Sequence, residues 1–255
     1  MRRLLALVLN TFREAVRDRV LYSILFFGVA VVVLSLALQE ITVGDQDKVV
    51  RSVAQSGIDL FGSIIAMFLG ISLVWKEIDR KTVYTILSKP VPRWMFILGK
   101  YLGLMLTLVV ELLILVAIYT LMMMIEQGFP PLVVYQSMGL LLIELGLLTA
   151  WATLFSTYSA PTTAAAFTLA VFVVGHLADD VWLYGSQAQS DALRQAARVL
   201  YWLLPNFELL SVRADAVNHR SVSWLRLGSA AAYGLAYTGA VLSTAMLVFH
   251  RRDMR

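Results

Sequence analysis

Cysteine is missing from the whole 255-residue chain. Its absence excludes disulfides, iron–sulfur clusters, thiolate metal sites and cysteine nucleophiles, and leaves the redox compartment open. Charge is nearly as scarce. Only 15% of residues are Asp, Glu, Lys or Arg, against about 25% in a soluble domain. The surplus of +4 is too small to mark a nucleic-acid binder, so where the charges lie matters more than their sum. What fills the chain instead is apolar: 59% of residues are hydrophobic, gathered into runs of the roughly 20 residues that a spanning helix needs. The composition describes an all-α integral membrane protein.

The runs predict six spans. Residues 20–38 carry no charge, and 58–75 carry only Asp59 at their start. A third span covers about 95–125 with Glu111 inside it. The stretch 132–178 holds one charge, Glu144, and is too long for a single crossing. Polar residues and Pro161 break it at 156–161, giving spans 132–155 and 162–178. The last span is 226–249. Fourteen Lys and Arg fall on one side of this arrangement and seven on the other. The excess marks both termini and the segment 76–94 as cytoplasmic.

The first 19 residues mimic a signal peptide, but their apolar run is short, charges follow at once, and no small-residue cleavage site precedes the first span. At helical spacing Leu5, Val8, Phe12, Ala15 and Val16 share a face, with Asn10, Arg13, Arg17 and Asp18 opposite. The pattern predicts an amphipathic helix lying on the cytoplasmic surface of the bilayer, its basic residues toward anionic lipid.

Segment 76–94 is the only long cytoplasmic connection. Val83, Ile86 and Leu87 fall at i, i+3 and i+4, which predicts a short helix with an apolar patch. Pro90 and Pro92 then stop it and set the angle of re-entry at Arg93 and Trp94. Such a patch suits docking in a groove of a cytoplasmic partner, or burial among headgroups; the pattern alone favours neither.

Here the sequence resembles a known family. Lys76-Glu77-Ile78, the run from Thr82 through Val83, Tyr84, Thr85, Ile86, Leu87, Ser88, Lys89 and Pro90 to Val91, then Arg93 and Phe96-Ile97-Leu98-Gly99-Lys100, look like the first cytoplasmic loop of ABC-2-type transporter permeases. Lys81 departs from the glycine many members have before the threonine. Thr11-Phe12-Arg13-Glu14-Ala15, Arg17-Asp18-Arg19-Val20 and the ending Phe249-His250-Arg251-Arg252-Asp253 resemble the subgroup containing the nitrous-oxide-reductase maturation permease.

The resemblance implies the membrane half of an exporter in a bacterial cytoplasmic membrane, with 1–19 as an elbow helix and 76–94 as the coupling element. It implies a pathway formed by two copies, alike or related, and driven by separate cytoplasmic ATPase subunits. Glu77, Thr82, Val83, Ile86, Leu87, Lys89, Pro90 and Arg93 are then the candidates for ATPase coupling. ATP and Mg²⁺ would sit in the partner, with no cofactor held by this chain. The sequence itself lacks G-x-x-x-x-G-K-[ST]: around Gly99-Lys100 both the upstream glycine and the hydroxyl are missing.

Glu111 and Glu144 are pathway candidates. Counted at 1.5 Å per residue from the turn at 126–131, they lie at similar depth, about 26 and 23 Å in. Each is costly facing lipid, so they either line a pathway or share a proton, or are protonated and hydrogen-bonded to neighbouring helices. An ATP-independent transporter or channel built on them is the rival function, and a scaffold for a cytoplasmic complex is another. The outer segment 179–223 predicts two short amphipathic helices, near 191–204 and 207–217, which either resemble the outer half-helices capping the pathway in this family or rest among headgroups beside Tyr201 and Trp202. His176, Asp179 and Asp180 have metal-ligand spacing, but three such residues at an interface are usually only solvated, so no metal site is expected. Met122, Met123 and Met124 read as lipid-facing filler. The stripe of Gly228, Ala232, Ala236, Ala240 and Thr244 reads as close packing within the subunit. No nucleophile–base constellation marks an enzyme.

Overall fold

The computed structural model describes residues 2–37, 46–79, 92–126, 128–188 and 190–251, without the side chains of 73–79 and 126. These residues are helical with short connections, and no strand occurs among them. Ten α-helices follow in order: α1 Arg2–Val16, α2 Arg19–Leu34, α3 Gln46–Asp79, α4 Arg93–Glu126, α5 Leu132–Ser156, α6 Pro161–His176, α7 Ala178–Ser186, α8 Asp191–Leu203, α9 Arg213–Val217 and α10 Trp224–Arg251, with a 3₁₀ turn at Glu208–Leu210 before α9. Four of them, α3, α4, α5 and α10, are long and apolar enough to cross a bilayer, and the bent pair α6–α7 makes a fifth if it is one span. α2 is apolar but 16 residues long.

α5 is the centre. All seven residues from Glu144 to Ala150 are buried, almost two turns with no face left for lipid. It packs against α3, α4, α6 and α10. Small residues let these helices meet closely, the usual device where no hydrophobic gradient drives helices together. A Cβ on Gly70 of α3 would come within 2.6 Å of the Ala152 Cβ, and one on Gly234 of α10 within 2.5 Å of Ile143. Hydroxyls inside the helices donate to their own preceding turn, as Thr149 does to Leu145 O (2.7 Å) and Thr168 to Ala164 O (2.7 Å). That keeps a polar side chain satisfied where water is absent.

Local chemistry explains the boundaries. The Asp18 carboxylate accepts from Val20 N at 3.1 Å and caps α2, and Pro161 opens α6 at its first turn, where a missing N–H costs nothing. α3 begins twelve residues before the apolar run at 58. Its early turns are polar outside, yet Val50, Ala54 and Ile58 are each fully buried at i, i+4 spacing, so packing carries the helix upward where mean hydropathy falls.

Three further expectations need correction. In α1 the side chains turned inward are Leu4, Leu7, Val8, Thr11 and Ala15, while Leu5, expected on one face with Val8 and Ala15, is 60% exposed; the helix is docked on α4. Met122 and Met123 are in the core and only Met124 faces out, because the triplet spans more than half a helical turn. Every residue of the Gly228–Thr244 stripe is exposed. α10 packs inward through Leu227, Ala230, Gly234, Thr238, Val241 and Ala245 instead.

Candidate functional site

Two regions concentrate functional groups: the base of α4, next to segment 76–94, and a polar cluster where α6 breaks.

Most of the coupling candidates, Thr82, Val83, Ile86, Leu87, Lys89 and Pro90, lie outside the described residues, as does the Glu77 side chain. Arg93 is described. Its Nη1 donates to the His250 carbonyl at 2.9 Å, tying the start of α4 to the end of α10. One turn on, Phe96 stacks on Phe249 with ring centroids 5.5 Å apart. Gly99 and Gly103, spaced G-x-x-x-G, bring α1 against α4. A Cβ on Gly99 would sit 2.9 Å from the Leu7 Cβ; on Gly103 it would sit 2.5 Å from the Thr11 Cβ and 2.8 Å from the Val8 carbonyl. Between them Lys100, 1% exposed, holds Glu14 of α1 at 3.1 Å. α1, α4 and α10 therefore share one rigid base immediately after segment 76–94.

The second region lies partly buried where α6 ends. α6 is 16 residues, about 24 Å, short of a bilayer core of about 30 Å, and α7 turns away from it by 66°. Gly175 makes room for the break: a Cβ there would meet Phe207 at 2.6 Å, and Phe207 N donates to Gly175 O at 3.0 Å. The 206–217 stretch thus folds back into the bundle, with Phe207, Leu210, Val212 and Ala216 all buried. Asn206 anchors it, donating through Nδ2 to Asp179 (2.7 Å) and through its backbone to the Tyr233 hydroxyl (2.9 Å).

At this break four ionisable side chains from four elements converge. His176 Nε2 is 3.1 Å from Glu144 Oε1. Arg213 donates to Asp59 Oδ2 at 2.7 Å. One donor atom each from Asp59, Glu144 and His176 lie within 4.8 Å of one another. Beside them is a cavity of about 20 Å³, lined by Gln55, Asp59, Ser137, Glu144, Ser211 and Arg213 among others, enough for about one water.

The cluster departs from the sequence expectations in two ways. Glu144 is joined by His176 and Asp59, not by Glu111. Both Glu111 oxygens are buried without a hydrogen-bond partner, so the two carboxyls do not hydrogen-bond each other. Nor does His176 gather Asp179 and Asp180: its Nδ1 faces the Phe172 carbonyl at 3.0 Å and its Nε2 faces Glu144. Asp59 and Arg213 were legible only as flanking charges. The missing signal was the true start of α3, which sinks Asp59 thirteen residues, about 20 Å, into its helix.

A central helix buried on every face over residues 144–150, long apolar neighbours and a helix broken beside a half-buried polar cluster describe a multi-pass helical membrane protein. More narrowly, the chain belongs to the ABC-2 transporter family: the model described as ABC-2 family transporter protein matches residues 5–254. Members are membrane subunits of ABC transporters, which makes this chain a permease subunit. A search of curated proteins found no match.

Proposed function

We propose that the chain is the membrane half of an ABC exporter in a bacterial cytoplasmic membrane, of the subgroup its end motifs resemble. α2 is the first span and α6–α7 the fifth, giving six with both termini inside. Two copies, alike or related, form the pathway between them, and separate cytoplasmic ATPases hold ATP and Mg²⁺. Segment 76–94 seats in the ATPase through Glu77, Thr82, Val83, Ile86, Leu87, Lys89, Pro90 and Arg93.

The observation that carries this reading is the clamped base of α4. The helix leaving segment 76–94 is bound at once to α1 through Lys100–Glu14 and the two glycines, and to α10 through Arg93 and Phe96. A displacement of the segment therefore moves three helices together. That is what a coupling element must do, and a lipid-resting loop need not. The filled surroundings of α5 support a pathway at the perimeter of each subunit, hence between copies.

Co-purification from native membranes in mild detergent tests it. Wild type brings down an ATP-hydrolysing subunit, and Leu87→Asp loses it while keeping its own elution profile. Well-folded wild type that brings down no ATPase overturns the mechanism.

The exposed small-residue stripe on α10 offers a surface on which a second copy can approach closely. Because the chain has no cysteine, Ala236→Cys is a clean probe. Mild oxidation in membranes is expected to give a disulfide-linked dimer, whereas Leu225→Cys, at the exposed start of α10 and off the stripe, stays monomeric. Equal cross-linking of both variants removes α10 from the interface.

A further inference from the structure

We propose that Asp59, Glu144 and His176 form a binding site for one divalent transition-metal ion, of the Zn²⁺ kind, with Arg213 as a positioning residue. The donors come from α3, α5 and the broken end of α6 and already lie within 4.8 Å of one another. Around an ion with bonds of about 2.0–2.2 Å, tetrahedral ligands stand about 3.4 Å apart. The His176–Glu144 separation of 3.1 Å is there already, and the third donor needs only a short approach.

The imidazole is set for ligation. A carbonyl only accepts, so the 3.0 Å contact between Nδ1 and Phe172 O places a proton on Nδ1 and turns Nε2 toward the carboxylates, where it ligates once any proton it shares with Glu144 is released. A metal-bound histidine is usually held in this way by a backbone carbonyl on its other nitrogen. The rings of Phe172 and Phe207, 4.4 and 5.2 Å from the imidazole, hold its plane. Asp59 is oriented likewise, giving Oδ2 to Arg213 and keeping Oδ1 free.

Independent of the clustering, oxygens here are buried with nothing to accept from. Asp59 Oδ1 and Gln55 Oε1 have no hydrogen-bond partner, Glu144 Oε1 meets His176 Nε2 alone, and Glu144 and Gln55 are 3% and 1% exposed. With the imidazole neutral and both carboxyls ionised, two carboxylates face one guanidinium, which leaves the site attractive to a cation. The adjoining cavity of about 20 Å³ accepts the water that completes a four-coordinate shell. One imidazole with two carboxylates suits Zn²⁺ and its neighbours better than Ca²⁺ or Mg²⁺, which take oxygen alone, or Cu⁺, which prefers sulfur. A bound ion would cross-link three helices where α6 breaks, at a depth where irregular backbone is tolerated only inside protein or beside a cavity.

The test uses the full chain in detergent, purified without a histidine tag and stripped with chelator. Co²⁺ serves as the spectroscopic probe. The expected result is one saturable Co²⁺ per chain with visible d–d bands, displaced by Zn²⁺, and a raised unfolding temperature. Glu144→Gln and His176→Gln each weaken binding at least 100-fold, Arg213→Gln weakens it about 10- to 100-fold, and His219→Gln and His250→Gln leave it unchanged. Absence of stoichiometric Co²⁺ or Zn²⁺ binding to well-folded wild type overturns the site without recourse to any variant. Unaltered binding in monodisperse Glu144→Gln and His176→Gln protein overturns it as well.

Discussion

Gly103→Leu is expected to strip α1 from the bundle. A Cβ at Gly103 already stands 2.5 Å from the Thr11 Cβ and 2.8 Å from the Val8 carbonyl. The second of these is backbone, so no rotamer change relieves the overlap. Overpacking a core ordinarily costs about 1–3 kcal/mol. Here the three further carbons of leucine have no room between two helix backbones, and the cost reaches the top of that range. The rest of the contact goes with it: separating α1 exposes Lys100, now 1% exposed, and breaks its 3.1 Å pair with Glu14. Charge-assisted bonds of this kind are worth about 1.5–3 kcal/mol. The measurements are thermal unfolding in detergent and thiol labelling of Leu7→Cys in this otherwise cysteine-free chain. Leu7→Cys is slow to label in the wild-type background and fast with Gly103→Leu; Gly103→Ala falls between. Unchanged labelling and melting would mean that α1 is not held as described.

Replacing the two membrane-embedded glutamates by leucine is expected to move stability in opposite directions. Glu111 is 5% exposed and neither of its oxygens has a hydrogen-bond partner. An unsatisfied buried polar group costs about 1–3 kcal/mol, so Glu111→Leu recovers about that much. Glu144→Leu removes the partner of His176 Nε2 and leaves a polar ring edge against an apolar side chain, a loss of about 1–3 kcal/mol. Unfolding curves for the two variants should therefore part by about 2–6 kcal/mol. If both fall together, the glutamates act as one unit. That outcome would revive the shared-proton reading and, with it, transport without ATP. Stability and transport are separable here: Glu111→Leu that melts higher but no longer supports transport identifies a carboxyl kept for function at the expense of fold.

The membrane character, the apolar runs, the turn at Pro161 and the loop motif of 76–94 needed no tertiary information. Each is a property of consecutive residues, and the bilayer imposes one length and one polarity on whatever crosses it. The family was legible for the same reason, since its motif lies in one continuous segment. Azimuth was not. Hydropathy is one-dimensional, and a span in which every side chain is apolar says little about which face meets protein; so the Gly228–Thr244 stripe and two of the three methionines stand on sides opposite to those expected.

The partners of the charges inside the bundle and at its edge were equally invisible. Lys100 finds Glu14 across 86 residues and Arg213 finds Asp59 across 154, distances over which no local spacing rule acts. The sequence alone determined that this is a many-span α-helical membrane protein of the ABC-2 family. Only tertiary packing, through glycines that admit a neighbouring backbone and a helix broken where Phe207 intrudes, decided which charges meet inside it.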